Sequence, residues 1–249
     1  MTNNTYISPV STLLTLGDIR RGADWPNYLA YGLAEEHIPA LIRMALDEDL
    51  HWADSNSAEV WAPIHAWRAL GQLHADAAIE PLVQLLHKVD EWDDDWVGEE
   101  IPKVLAMIGP SALPAIHTFL ASPEHGLWAR VAASATLEEM GKQHPASRAE
   151  CVAVLTDQLR AYPQQDPTLN AELIVALVEL HAVEVAPVME AAFAAKAVDL
   201  SIQGDWEEVQ IELGLLAERL TPKPPMGWFP AAWGDRLPEL TALRKMLDA

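Results

Sequence analysis

The densest chemistry in this 249-residue sequence lies in one block, Asp90-Glu91-Trp92-Asp93-Asp94-Asp95-Trp96-Val97-Gly98-Glu99-Glu100. Seven carboxylates in eleven residues, with two tryptophans interleaved, can hold a divalent cation, favour a helix start, or dock a basic partner. Calcium loops set their oxygen ligands on a D-x-[DN]-x-[DN]-G frame, which this block does not follow. Acids before and inside a first helical turn complement its positive end, which suits a helix over Val97–Met107. Docking uses the carboxylates against Lys or Arg, with the indoles as aromatic anchors or cation–π faces. The candidate partner-binding residues are therefore Asp90, Glu91, Trp92, Asp93, Asp94, Asp95, Trp96, Glu99 and Glu100. The competing reading of the same stretch is a solvated loop between two helical units.

The remaining reactive residues offer less. Cys151 lies in the apolar run Cys151-Val152-Ala153-Val154-Leu155, where a thiol acts as a small hydrophobe. A single cysteine makes neither an internal disulfide nor a zinc cage. Of nine histidines, His74 and His181 fall at matching helix ends, where a ring nitrogen meets free carbonyls. His51, Asp54 and His65 are near enough in sequence to converge, yet no spacing fixes them as a metal set. G-x-S-x-G, a phosphate-cradling glycine loop and H-E-x-x-H are all missing. No catalytic residue, metal site or cofactor is predicted. The ten tryptophans, Trp52, Trp61 and Trp67 among them, read first as packing anchors with a tethered N–H.

Charge narrows the partners. The formal net charge is −21, from 37 acids against 16 bases. That field repels phosphate backbones and anionic bilayers, so neither nucleic acid nor membrane is expected as a partner. It steers basic proteins inward. The N-terminal MTNNTYISPVSTLL lacks the basic-then-apolar order of a signal peptide, and no run approaches the roughly 18 apolar residues of a membrane span. A cytoplasmic location is the expectation.

The elements that must position these residues recur along the chain. Half the residues are hydrophobic while aromatics make up only 7%, a balance carried by Ala and Leu that suits close helix packing. One unit repeats: an Ala/Leu-rich helix, a break with Gly or His, then a second helix opening near proline. It appears as AWRALGQLHADAAIEPLVQLL, PKVLAMIGPSALPAIHTFL, NAELIVALVELHAVEVAPVMEAAF and, in part, YGLAEEHIPALIRMAL. Pro39, Pro81, Pro114 and Pro187 mark the second helices, at spacings of 42, 33 and 73 residues, the last close to two repeats. First-turn amides have no intrahelical partner, so proline costs nothing there. The intervening pair, Leu127–Gly141 and Ser147–Tyr162, lacks that proline. Leu70, Leu73, Ile79, Leu82, Val83 and Leu86 in one unit, and Leu105, Ile108, Leu113, Ile116 and Leu120 in the next, form the inward register. Gly71, Gly109 and Gly141 serve close packing or a C-cap.

Two-helix units of this period stack into all-α, right-handed superhelical solenoids of antiparallel helix pairs. The expected organisation is a solenoid over residues 1–220 with about five pairs, residues 1–30 acting as an N-terminal cap. A helix is predicted from Asp205 to about Leu220. The Pro/Trp-rich segment 221–249 then runs extended before a short helix from Leu237 to Leu247.

The repeat units resemble HEAT repeats, in particular the short type named after the phycobilisome lyases. The pieces EHIPALIRMAL, WVGEEIPKVLAMIG and AAFAAKAVDLSIQGDWEEV, in that order, are similar to a bacterial HEAT-like family known as a domain of unknown function. Its members often carry a cysteine-rich metal-binding tail, whereas this sequence has no cysteine there. HEAT-like hydroxylases hold a di-iron centre with His-Glu dipeptides; this sequence has none. The resemblance implies an armadillo-like fold and no activity. A non-catalytic protein-interaction scaffold is the leading expectation. The alternative is a lyase-like or metal-assisted enzyme, or a chaperone of a pigment-bearing protein, on the same frame.

Overall fold

The computed structural model describes residues 6–21 and 24–223. Of the expected Pro/Trp-rich segment 221–249, residues 224–249, with the short helix from Leu237 to Leu247, lie outside the described residues. Within them the chain is all-α, with thirteen α-helices linked by turns of 3-10 helix and no strand. They are α1 (Ile38–Ala45), α2 (Glu48–His51), α3 (Ala62–Gln72), α4 (Ile79–Leu85), α5 (Lys88–Trp92), α6 (Asp95–Ile108) and α7 (Leu113–Ala121). These are followed by α8 (Leu127–Gln143), α9 (Arg148–Leu159), α10 (Pro167–Glu179), α11 (Ala186–Ala194), α12 (Leu200–Gln203) and α13 (Trp206–Glu212).

Proline places the helix starts as the spacing predicts. Pro39, Pro114 and Pro187 are each the second residue of α1, α7 and α11, and Pro81 is the third of α4. The unit built on α8 and α9 moves its proline into the connecting turn Pro145–Ser147. Short connections force neighbouring helices side by side, and the array has two rows. In one, α1, α3, α6, α8, α10 and α12 pack in succession; in the other, α4, α7, α9 and α11 do. The core runs between the rows. Leu70, Leu82, Leu86, Leu105, Ile116 and Leu120 are wholly buried, so the register read from periodicity is the packed one. Leu73 is the exception in its unit, sitting at the core margin.

The three glycines divide their roles. Gly109 (φ +120°) ends α6, whereas Gly71 and Gly141 lie inside α3 and α8, against Met107 and Leu180 of the neighbouring unit. The matching ends of α3 and α10 use histidine instead. His74 (φ 48°) and His181 (φ 49°) are left-handed, and each closes a Schellman pattern, Ala75 N–H to Leu70 C=O and Ala182 N–H to Leu177 C=O. The His74 ring meets a carbonyl of the next unit rather than its own helix, Nδ1 lying 2.7 Å from Met107 O. His144 Nε2 stands 2.8 Å from Ala106 O, and Arg148 Nε donates to Leu180 O at 2.8 Å. Each unit thus satisfies helix-end carbonyls of an adjacent one.

Before α1 come short 3-10 turns at Val10–Thr15, Ile19–Arg21, Tyr28–Tyr31 and Glu35–His37, of which the first and third lie on α3. At the other end the expected helix from Asp205 to Leu220 stops at Glu212. Gly214 (φ +72°) turns the chain, and Leu215 N–H returns to Gln210 C=O. The segment beyond runs back along α13, where Arg219 pairs with Asp205 at 2.6 Å and Glu208 at 3.0 Å. Among the described residues no single helix is long and apolar enough to cross a membrane.

Candidate functional site

The acidic block is not a loop. It comprises the end of α5, the left-handed Asp93 (φ 55°) and the first turns of α6. This geometry sends its carboxylates in different directions, and only part of the predicted docking set faces outward.

Three acids have structural roles. Glu100 turns inward to Arg68 of α3 in a bidentate pair, Nε to Oε2 and Nη2 to Oε1 both at 2.8 Å. Each side chain is 6% exposed, and the guanidinium lies over Trp25 at 4.7 Å. Asp90 reaches a helix 38 residues on: it accepts the N–H of Trp128 at 3.0 Å and of Ala129 at 2.8 Å. That supplies the N-cap which Gly126, preceding α8, has no side chain to provide. An alanine Cβ at 126 would overlap the Asp90 carboxylate, so glycine is what admits it. Asp94 caps its own helix, Oδ1 accepting from Trp96 N–H at 2.9 Å and Val97 N–H at 3.3 Å.

The outward acids gather. Asp93, Asp95 and Glu99, all exposed, line a groove of about 400 Å³ with Val89, Val131 and Trp128. Trp128 is 49% exposed, and its backbone is fixed by Asp90. Glu91 is committed to Lys88 at 2.9 Å, which holds its carboxyl below the usual range. Trp128 escaped sequence reasoning because it lies in another unit; the sequence signal for it is the side-chain-free Gly126 cap two residues earlier.

The block's tryptophans face elsewhere. Trp92 packs on His51 (ring centroids 4.5 Å) and Trp52 (5.3 Å), with the Lys88 ammonium 4.2 Å from its ring. Trp96 meets Trp61 edge to face at 5.6 Å, and Arg20 lies over Trp61 at 5.0 Å. Trp67 is buried with its N–H donated to Ala45 O at 2.9 Å, the packing anchor expected of it.

The candidate trio of His51, Asp54 and His65 has separate partners. His65 is buried between Tyr28 Oη (2.7 Å) and Gly17 O (2.8 Å), and burial lowers its pKa. Asp54 closes a turn on Asn56. His51 faces Asp94, Nε2 to Oδ2 at 3.5 Å. Burial also lowers the pKa of His51, against the pull of Asp94 and Glu48. Among the described residues no group of three or more His, Cys, Asp or Glu is placed to hold a metal ion. The Cys151 thiol is wholly buried and pushed up to about 11 by desolvation, which keeps it protonated near neutrality.

Neither a curated protein nor a solved structure matches the sequence. A family model described as "Protein of unknown function (DUF1186)" matches residues 34–220. That span holds α1 to α13 and every residue of the acidic block, and the chain belongs to this family.

Proposed function

We propose that this protein is a non-catalytic interaction scaffold, a right-handed HEAT-like solenoid of antiparallel helix pairs that holds a basic segment of another protein. The two-row stacking of proline-started helices supports the solenoid reading. The observation that carries the function is the convergence of Asp93, Asp95 and Glu99 with the half-exposed Trp128 on one groove of about 400 Å³. A lysine- or arginine-bearing strand laid there meets three carboxylates and one indole, the combination of rim charge and aromatic anchor that interfaces use. The net charge of −21 steers such a partner inward. The narrowed site retains three of the nine candidate acids and tryptophans; Asp90 contributes by fixing Trp128, and Glu100 is withdrawn from the partner.

The test is capture of partners from the native host, followed by affinity measurements on the captured protein across a salt series. Asp93→Asn, Asp95→Asn and Glu99→Gln together remove three exposed charge contacts worth about 0.5 kcal/mol each, so affinity falls by about tenfold. The salt dependence flattens at the same time. An affinity indifferent both to salt and to these substitutions would remove the groove as the docking site.

A further inference from the structure

A second cavity system shares no residue with that groove. Two cavities of about 410 and 190 Å³ have His51, Pro63 and Trp67 as common walls. The smaller is closed by Trp61, Trp96 and Asp94.

Asp94 is the unusual member. It is 8% exposed, and while Oδ1 caps α6, Oδ2 accepts no hydrogen bond among the described residues. His51 Nε2 stands 3.5 Å away, too far for a strong bond. A carboxylate oxygen withdrawn from water without a donor is costly, and native structures supply one. Burial lowers the pKa of His51, against the pull of Asp94 and Glu48, so burial disfavours the charged ring that would answer this carboxylate.

The walls suit one kind of guest. Indole faces attract cations, and this part of the fold already uses them so, with Arg20 over Trp61 and Lys88 over Trp92. Asp47, Glu48 and Glu80 line the larger cavity beside one lysine, which is itself bonded to Glu91. An anion meets net repulsion here, and a neutral apolar guest leaves Oδ2 unpaired. A quaternary ammonium satisfies the indoles but brings no N–H. A guanidinium or primary ammonium satisfies both.

We propose that this cleft binds an organic cation with N–H donors, a guanidinium or primary ammonium on a short apolar arm. Its head donates to Asp94 Oδ2 within the smaller cavity, and its arm runs past Pro63 and Trp67 into the larger one. The head has two possible sources, a free alkylguanidine or alkylamine and the side chain of a protein's arginine or lysine.

Calorimetric titration of the full chain with butylguanidinium, butylammonium, neutral butylurea and N-acetylarginine methylamide tests this. Saturable binding of a butyl cation, absent for butylurea, is the expected result. A blocked arginine binding as tightly as butylguanidinium assigns the site to a side chain, and tighter binding of the free cation assigns it to a small molecule. Asp94→Asn weakens the cation by about tenfold or more, and asparagine caps α6 as well as aspartate does. Val60→Phe enlarges a side chain that lines the smaller cavity, fills it and abolishes binding. The triple substitution at Asp93, Asp95 and Glu99 leaves cation binding unchanged, so this site and the peptide groove stand or fall separately. No saturable binding of either butyl cation, or equal binding by Asp94→Asn, would overturn the proposal.

Discussion

Replacing Glu100 by glutamine tests the division of the acidic block most directly. Glutamine conserves the volume, and it leaves the Arg68 guanidinium in a site where the side chain is 6% exposed. Two charge-assisted bonds of 2.8 Å are weakened together, and the arginine charge is left without its counter-charge against Trp25. Breaking a buried pair from one side costs about 3–5 kcal/mol, most of it the penalty on the stranded partner. For a chain of this length each kcal/mol moves the melting temperature by about 2–4 °C, so Glu100→Gln lowers it by about 6–20 °C. Urea unfolding followed by far-UV circular dichroism measures this as a lower midpoint at constant m. The double substitution Arg68→Met with Glu100→Leu removes both charges, keeps an apolar stem under Trp25, and recovers most of the loss. A cost below about 1 kcal/mol for Glu100→Gln is what exposed pairs show. That result would refute the burial argument and return Glu100 to the outward-facing acids.

Further expectations follow from the same contacts. Gly126→Ala displaces the Asp90 carboxylate from the start of α8 and costs about 1–2 kcal/mol, as loss of a cap does. Asp90→Ala costs a similar amount, and the double substitution costs little more than either alone, a coupling that a double-mutant cycle reads directly. His181→Gly relieves a left-handed histidine (φ 49°) at the end of α10 and raises stability by about 1 kcal/mol, measured in the same urea assay. Acid destabilises the fold through His65, whose native pKa lies below its unfolded value of about 6.5 because burial opposes the charged form. Both states are neutral above pH 6.5. Below it the unfolded chain takes up the proton first, so stability falls until the native pKa is passed. Melting temperatures between pH 7.5 and 5 show that slope, and His65→Gln reduces it.

How much was legible depends on whether a residue's role is set by its own helix. Prolines at second-helix starts, the burial of Leu82 or Leu105, and the acids favouring the α6 N-terminus all follow from local geometry. The early stop of α13 also has a local cause, Gly214, although apolar residues continue beyond it. The destinations of Asp90, Glu100 and His74 were not readable. Each partner, Trp128, Arg68 or Met107, lies more than thirty residues away, and the separation along the chain does not say which turn of a neighbouring helix comes opposite.

The sequence alone therefore determined an all-α chain of repeated helix pairs with acidity concentrated at one junction. Apolar periodicity and proline placement act within a single helix and need no knowledge of its neighbours. Tertiary structure decided which carboxylates remain available. Packing α6 between α3 and α8 turns Glu100 to Arg68, packing α5 on α8 brings Asp90 to the α8 amides, and Asp93, Asp95 and Glu99 are left outside. A carboxylate's energy depends on the charge and donors within a few ångströms, and only the stacking of separate units brings those groups within reach.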